Sequence, residues 1–585
     1  MNVGLAMLIS LGMLFLGYLL YGRWVGRRLG VDPNRPTPAH TQYDGVDYAP
    51  ARPLLLFGHH FSAIAAAGPI VGPTLALLYG FLPVWLWVVL GVIFIGAVHD
   101  MTALFVSIRE GGRSIAEVAR RTLGPVGYFF FLSFALFLCI LVAAAFADLT
   151  AVALTSHYPA AELGIQPGQT ILRTRTLDGK PHVMIGGIAS TSAIVMTFLA
   201  PFIGWLVYRR HASTGLASIL AAAGAVGSIL VGLYWPLQLN PKLWILIIML
   251  YILAAAYVPI WLIIQPRDYV NVQILYLGLL SLIAGAIGLG LAGHRVEAPL
   301  LRVTPDVVVR LGELWPFLFI TVACGAASGA HGLIATGTTS KQVANEKHVP
   351  IVGYGGMLME SVLALCVIFA VLGGLGYTKY MEITWPVQGR GNAPLAFALG
   401  VGYTLFKGLH IPLIYGTLFG IVLLEGFLVT TIDAVMRLSR YLIEEFWRVL
   451  WGDRVPGLLR LRFINSLIPV VLTAGLAFSR GYTRIWPLFG ASNQLLAALT
   501  LVVATVWLVQ KARTYWFAIL PAVFMSGTTI TALALTVLRR FQMHDYLLGF
   551  TAFLLLGLAL GFIVQSVRFF VTRGRGALTW GPASR

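Results

Sequence analysis

Charge is what this sequence has least of. Only 11% of its 585 residues are charged, and acids are scarcest, with 22 Asp and Glu against 40 Lys and Arg. A chain so poor in charge cannot present an ordinary water-facing surface; with 58% hydrophobic residues and a mean hydropathy of +0.85 it is excluded from the soluble globular class. Long polar stretches are missing too: the longest run to roughly 25–35 residues, too few for a separate soluble domain. Cysteine is nearly absent. Cys139, Cys324 and Cys366 all fall in apolar segments, at spacings that fit neither a metal motif nor a disulfide framework. There is no HExxH pair, no GxSxG elbow and no P-loop, which argues against a membrane protease, a hydrolase or an ATP-driven pump; the chain is expected not to be an enzyme. The alternating short strands of a membrane barrel are also missing.

Apolar runs of about 20 residues recur from end to end, the length that crosses a bilayer. Hydrocarbon offers backbone N–H and C=O groups no partners, so these runs are expected to be helices. They fall near 2–22, 58–80, 83–107, 126–154, 185–207, 213–234, 243–264, 271–292, 314–337, 350–376, 411–437, 463–479, 485–509, 516–538 and 546–568, fifteen crossings in all. The first run lacks a charged leader and a small-residue cleavage site, and reads as a retained helix rather than a signal peptide. The formal charge of +18 points to anionic lipid at the cytoplasmic surface and not to a nucleic-acid partner. Orientation follows from the arginines. With the N-terminus outside and the C-terminus inside, Arg23, Arg27, Arg28, Arg109, Arg113, Arg120 and Arg121 lie on the inner side, with the Arg-rich loop 437–463. The mildly apolar stretch 392–408 is then a non-spanning helix in an outer loop, since a crossing there would turn the 437–463 loop outward.

Two stretches are built to interrupt a membrane helix. FGHHFSAIAAAGPIVGPTLALLYG (57–80) carries Gly68, Gly72, Pro69 and Pro73; GAASGAHGLIATGT (325–338) carries Gly329 and Gly332. Proline removes a donor and clashes with the preceding turn, and glycine weakens the helix. Gly68–Thr74 matches Gly332–Thr338 in glycine, isoleucine and threonine at an offset of 264, and the topology runs the two in opposite directions, as in inverted-repeat transporters. Unwound backbone at membrane depth is tolerated where it lines a cavity, so the pair is expected to form a small-molecule substrate site; the alternative is close packing through Gly68-x-x-x-Gly72.

The stretches GHHFSAIAAAGPIVGPT (58–74), HDMTALFVSIREGGRSIAEVA (99–119), QPRDYVN (265–271), ACGAASGAHGLIATGTTSK (323–341), GYGGMLMES (353–361), TTIDAVMRLSRY (430–441) and WPLFGASNQLLAA (486–498) resemble the hallmarks of the carbon starvation protein A (CstA) family, in order over residues 1–510. The resemblance implies an inner-membrane transporter that scavenges nutrients under carbon starvation, with peptides the traditional substrate and pyruvate–proton symport described for some members. It also implies an all-α, leucine-transporter-like core of two inverted five-helix repeats, each opening with a broken helix. The core would occupy 58–510, between an extra helix and linker at 1–57 and extra helices with a tail at 511–585. That fold has five helices before the second broken one, whereas seven are counted here, so two are inserted or the 185–292 region is wrongly divided.

Ionisable groups at membrane depth are costly and mark function or pairing. Thr430 and Thr431 match the hydroxyl pair that binds sodium in related transporters, with Asp433 the alternative carrier, of a proton; otherwise the threonines back-bond and Asp433 pairs with Arg437. Glu425 has no cation near it in sequence and reads as a proton relay, an amino-group ligand for a peptide, or a structural group. His331 lies in the second break and is a candidate for a substrate carboxylate or a proton; His59 and His60 are gate or interfacial cap. Arg267 and Asp268 form a gate salt bridge or a helix-end pair, and Asn493 with Gln494 lines the cavity or bridges helices. His99, Asp100, Asp148 and Glu360 read as structural, with Arg109 near Asp100. Haem or metal ligation by the histidines is not expected, because His59, His60 and His99 fall toward the inner side and His331 in a broken segment. The expected function is an importer driven by protons or sodium, with no other cofactor and with the bilayer as its partner; a channel or a starvation sensor is the alternative.

Overall fold

The chain answers a solvent without hydrogen-bonding capacity by becoming helical almost throughout. The computed structural model describes it apart from residues 45–46, 166–171, 209, 211–213, 259–263, 453, 480 and 578–585, and apart from the side chains of 207–208, 214–215, 217–218, 264–266, 268–270, 570 and 572–577. The main helices are α1 (Val3–Leu29), the bent pair α2 (Pro53–Ile64) and α3 (Gly68–Tyr79), α4 (Phe81–Arg109), α5 (Ile115–Leu154), α6 (Ile185–Tyr208), α7 (Thr214–Tyr234), α8 (Pro241–Tyr257) and α9 (Ile264–Leu291). They continue with α10 (Leu314–Thr321), α11 (Gly329–Gly337), α12 (Glu346–Leu375), α13 (Ala393–Leu409), α14 (Leu413–Trp451), α15 (Arg462–Ser479), α16 (Tyr482–Gln510), α17 (Trp516–Gln542) and α18 (Tyr546–Ala577). Among the described residues eleven helices are long and apolar enough to cross a membrane, or twelve with α2–α3 as one bent span. All fifteen expected segments are helical, but α8, the described part of α7 and the halves α10 and α11 fall short of that length.

Three departures from the sequence reading have local causes. Helix α5 starts at Ile115, with Ser114 accepting from the Glu117 amide, and bends where Gly124 takes φ 83° ahead of Pro125. Helix α14 does not stop at 437 but runs for 39 residues to Trp451, about 58 Å at the usual rise, so part of the Arg-rich "loop" is a helical extension. The linker 155–184 contains an antiparallel sheet, with Thr174–Leu177 and Lys180–Val183 joined by Asp178 and Gly179 at φ 50° and 75°, the two-residue turn that favours Asp-Gly.

The two interrupted segments pack against each other in opposite directions. The hydroxyl of Tyr79 donates to the carbonyl of Gly312 (2.9 Å), Gly72 abuts Thr321, Gly68 abuts Cys324, and Nδ1 of His60 lies 3.0 Å from Oγ1 of Thr339. Ascending one chain therefore means descending the other. Six helices, α4 to α9, separate the two segments in sequence, of which α8 and the described part of α7 fall short of spanning length; α6 and α7 form a peripheral hairpin joined by Ser192–Ser228 (2.7 Å). Helix α13 packs along the first turns of α14, where Gly402 has no room for a side chain beside Thr417. Leu5, Phe15, Leu250, Phe550 and other large apolar side chains are exposed around the bundle, the face a lipid-embedded protein presents.

Candidate functional site

The breaks lie at residues 65–67 and 322–328. Gly68 and Gly329 thus open the second half-helices, while Gly72 and Gly332 lie inside them, and Gly332 sits one turn deeper than the residue it matches in sequence. Proline explains part of the shift, because Pro69 at the second helical position loses no intrahelical hydrogen bond. The glycines serve close approach. A Cβ on Gly68 would fall 2.4 Å from Sγ of Cys324, one on Gly72 2.7 Å from the carbonyl of Thr321, and one on Gly329 2.4 Å from the carbonyl of Asn493.

Carbonyls released by the second break are taken up by side chains of α16 and α4. Gln494 donates to Phe319 (2.5 Å), Trp486 to Thr321 (3.0 Å) and Trp87 to Val322 (3.3 Å). Asn493 caps α11: Oδ1 accepts from the Ala330 amide (3.1 Å), while Nδ2 reaches Ser328 (3.0 Å) and Cys324 (3.2 Å). These contacts stand in for the intrahelical bonds that the break removes.

His331, the third residue of α11, joins two acids that the sequence reading left as structural. Its Nδ1 is 3.0 Å from Oδ2 of Asp100 on α4, and its Nε2 is 3.1 Å from Oε2 of Glu360 on α12. The Glu360 contact has ion-pair distance without hydrogen-bond alignment. The other oxygen of Asp100 meets Nδ1 of His99 at 2.7 Å. All four side chains are at most 2% exposed. A neutral imidazole has one N–H, so two flanking carboxylates cannot both be satisfied by it. The bridge requires an imidazolium or a protonated carboxyl, and in either form it holds one proton beyond the fully deprotonated set. His60 is buried nearby on α2 beside Gly356, and His59 is exposed. Arg109, expected near Asp100, instead pairs with Glu346 at 2.8 Å.

A second buried cluster assembles from α8, α9 and α14. Nη2 of Arg267 lies 3.1 Å from Oε1 of Glu425; Nη1 lies 3.6 Å from Oδ2 of Asp433 and donates to the Tyr251 hydroxyl (2.9 Å), which donates to the same Asp433 oxygen (2.7 Å). Glu425 therefore does have a cation, supplied from 158 residues away. Arg437 does not pair with Asp433; it donates to the carbonyls of Ala255 and Val258 (2.5 Å each). Thr430 Oγ1 accepts from Asn271 (2.5 Å), and Thr431 bonds back to Phe427 (2.7 Å). Asp268 lies outside the described residues, and Asp148 is held by Arg390 and the Tyr482 amide. Acids within apolar runs were the one signal that marked Asp100 and Glu360; nothing local named their partner.

Apolar helices exposed around a core that buries paired ionisable groups define a polytopic membrane protein. A profile described as "Carbon starvation protein CstA" matches residues 2–392 and 377–532. The peptide transporter CstA of Escherichia coli (strain K12) is 30% identical over 88% of this chain and 78% of its own, and that of Bacillus subtilis (strain 168) is 29% identical over 96% of each. The pyruvate/proton symporter BtsT of Escherichia coli (strain K12) is 30% identical over 92% of this chain and 82% of its own. The chain belongs to the CstA family, whose named members are transporters and not enzymes.

Proposed function

We propose that the chain is a proton-coupled symporter importing a small carboxylate-bearing nutrient, pyruvate or a short peptide, across the bacterial inner membrane. The observation that carries this is His331 held between Asp100 and Glu360 on a nine-residue half-helix next to a break. Removing the bridging proton sets a lone pair against a carboxylate at about 3 Å in a buried site, which favours withdrawal of α11 from α4 or α12. The unwound residues 322–328 give α11 the hinge for that movement. Arg267 with Glu425 and Asp433, two acids on one cation, is a second place where a proton can be taken up or released. The antiparallel broken segments support a leucine-transporter-like inverted repeat, the distribution of basic residues supports an N-terminus outside, and the names of relatives support both substrates. The roles assigned are proton transfer at His331, Asp433 and Glu425 and gating at His59, His60 and Arg267; Gly68, Gly72 and Gly329 are filled by the neighbouring segment and Asn493 is committed to the α11 cap, so these four hold the broken segments in place and do not contact substrate.

The test is uptake of labelled pyruvate, and separately of a labelled dipeptide, into proteoliposomes under an imposed proton gradient or an imposed sodium gradient. Proton-driven accumulation of either substrate is expected. Sodium-driven accumulation lost in Thr430→Val/Thr431→Val would replace the proton by sodium at those hydroxyls, and passive equilibration with no gradient effect would make the protein a channel.

A further inference from the structure

Five arginines from four separate parts of the chain meet at one cavity. Arg310, Arg390, Arg484, Arg539 and Arg540 all line a cavity of about 690 Å³, within the usual range of small-ligand sites. No acid lines it. Three carboxylates stand beside it, each engaged by one arginine: Asp148 with Arg390, Glu313 with Arg539 (2.6 Å) and Asp545 with Arg540 (3.7 Å). Arg310 donates only to the carbonyl of Trp385 (2.9 Å), and among the described residues no carboxylate lies within ion-pair distance of Arg310 or Arg484. The cavity therefore keeps two positive charges in excess.

These arginines are not explained by membrane orientation. The distribution of basic residues that sets the topology puts all four stretches at the outer side, where arginine is disfavoured. Their convergence on one end of the bundle agrees with that assignment. The cavity also leads somewhere: Phe317, on the first half of the second broken segment, lies in its wall with Arg539 over its ring at 4.8 Å. Pro487, also in the wall, is six residues before Asn493, about 9 Å along α16 from the residue that caps α11.

We infer that this cavity is an outer vestibule that concentrates carboxylate anions above the second break, with Arg310 and Arg484 as the charges that attract them. The inference rests on reading the chain as an importer of carboxylate-bearing solutes. A basic cleft with apolar walls raises the local concentration of an anion and its rate of arrival, an effect that ionic strength removes. The volume exceeds what pyruvate fills, so the vestibule admits either proposed substrate by its carboxylate and does not choose between them.

The probe is pyruvate. Wild type, Arg310→Gln/Arg484→Gln and a control that removes charge elsewhere on the outer side, Lys180→Gln, are reconstituted in liposomes of phosphatidylcholine alone and of phosphatidylcholine with an anionic phospholipid. Initial uptake is measured at about 10 mM and about 1 M salt, where screening lengths are about 30 and 3 Å. The double variant should show an apparent KM raised by roughly ten-fold at low salt, unchanged maximal velocity, and convergence with wild type at high salt. Lys180→Gln should match wild type. Equal KM values at low salt overturn the vestibule while leaving symport intact. An effect that requires anionic lipid in the liposomes also overturns it, by making the arginines headgroup ligands. Calorimetric binding of pyruvate to the protein in nanodiscs separates the two readings. Binding weakened by the double substitution, in a protein that moves no pyruvate, upholds the vestibule and removes pyruvate symport.

Discussion

Replacing Arg267 with methionine removes one cation from between two buried carboxylates while keeping most of the side chain's apolar length. The structure sets the scale. The guanidinium makes two close contacts, to Glu425 (3.1 Å) and to the Tyr251 hydroxyl (2.9 Å), and a longer one to Asp433 (3.6 Å). Hydrogen bonds involving a charged group contribute about 1.5–3 kcal/mol each, so the two close contacts account for about 3–6 kcal/mol. Breaking a buried ion pair from one side costs about 3–5 kcal/mol by comparison. Arg267→Met should therefore lose about 3–5 kcal/mol in equilibrium unfolding from mixed detergent–SDS micelles. The loss should shrink as pH falls, because protonating Glu425 or Asp433 removes the uncompensated charge. Adding Glu425→Gln and Asp433→Asn to Arg267→Met should recover most of it, and the cycle should show coupling well above 0.5 kcal/mol. Lysine should rescue poorly, since a point charge cannot serve Glu425 and Tyr251 together as the planar fork does. A loss under 1 kcal/mol, or one that the neutral acids leave unchanged, refutes the reasoning.

Other substitutions test the second break and its proton. His331→Gln should abolish proton-driven accumulation, and Glu360→Gln should retain substrate exchange across the membrane but lose gradient-driven accumulation; counterflow and uptake assays separate the two outcomes. Gly68→Ala places a methyl group 2.4 Å from Sγ of Cys324 and should cost about 1–3 kcal/mol in micelle unfolding, relieved by Cys324→Gly. Asn493→Ala should cost about 1 kcal/mol through loss of the α11 cap, and Asn493→Asp should not recover it in the same assay, because the carboxylate keeps the accepting oxygen but loses the amide that donates to Ser328 and Cys324 and buries a charge with no cation beside it.

Much of the architecture is legible locally. Hydropathy over about 20 residues locates a membrane helix because transfer of a segment into hydrocarbon is nearly a sum over its residues. Glycine with proline near 68, and glycine alone near 329, mark where helices fail, since both residues act on their own backbone. Where the sequence reading slipped, the cause was also local and visible: Pro69 fits a helix start and moves the break before it, and the charged 437–451 stretch continues its helix.

The sequence by itself determined that the chain is built of membrane helices, the neighbourhood of both breaks and the family, because each rests on short-range chemistry or on ordered motifs. Only the tertiary structure decided the partners of the buried charges. His331 meets Asp100 across 231 residues and Arg267 meets Glu425 across 158, while Arg437, one turn from Asp433, turns instead to backbone carbonyls of α8. Arg310, Arg390, Arg484, Arg539 and Arg540 become one cavity on the same terms. Helix packing selects which faces meet, and in a medium of low dielectric a charge is governed by what packs within a few ångströms of it, whatever its neighbours in the chain.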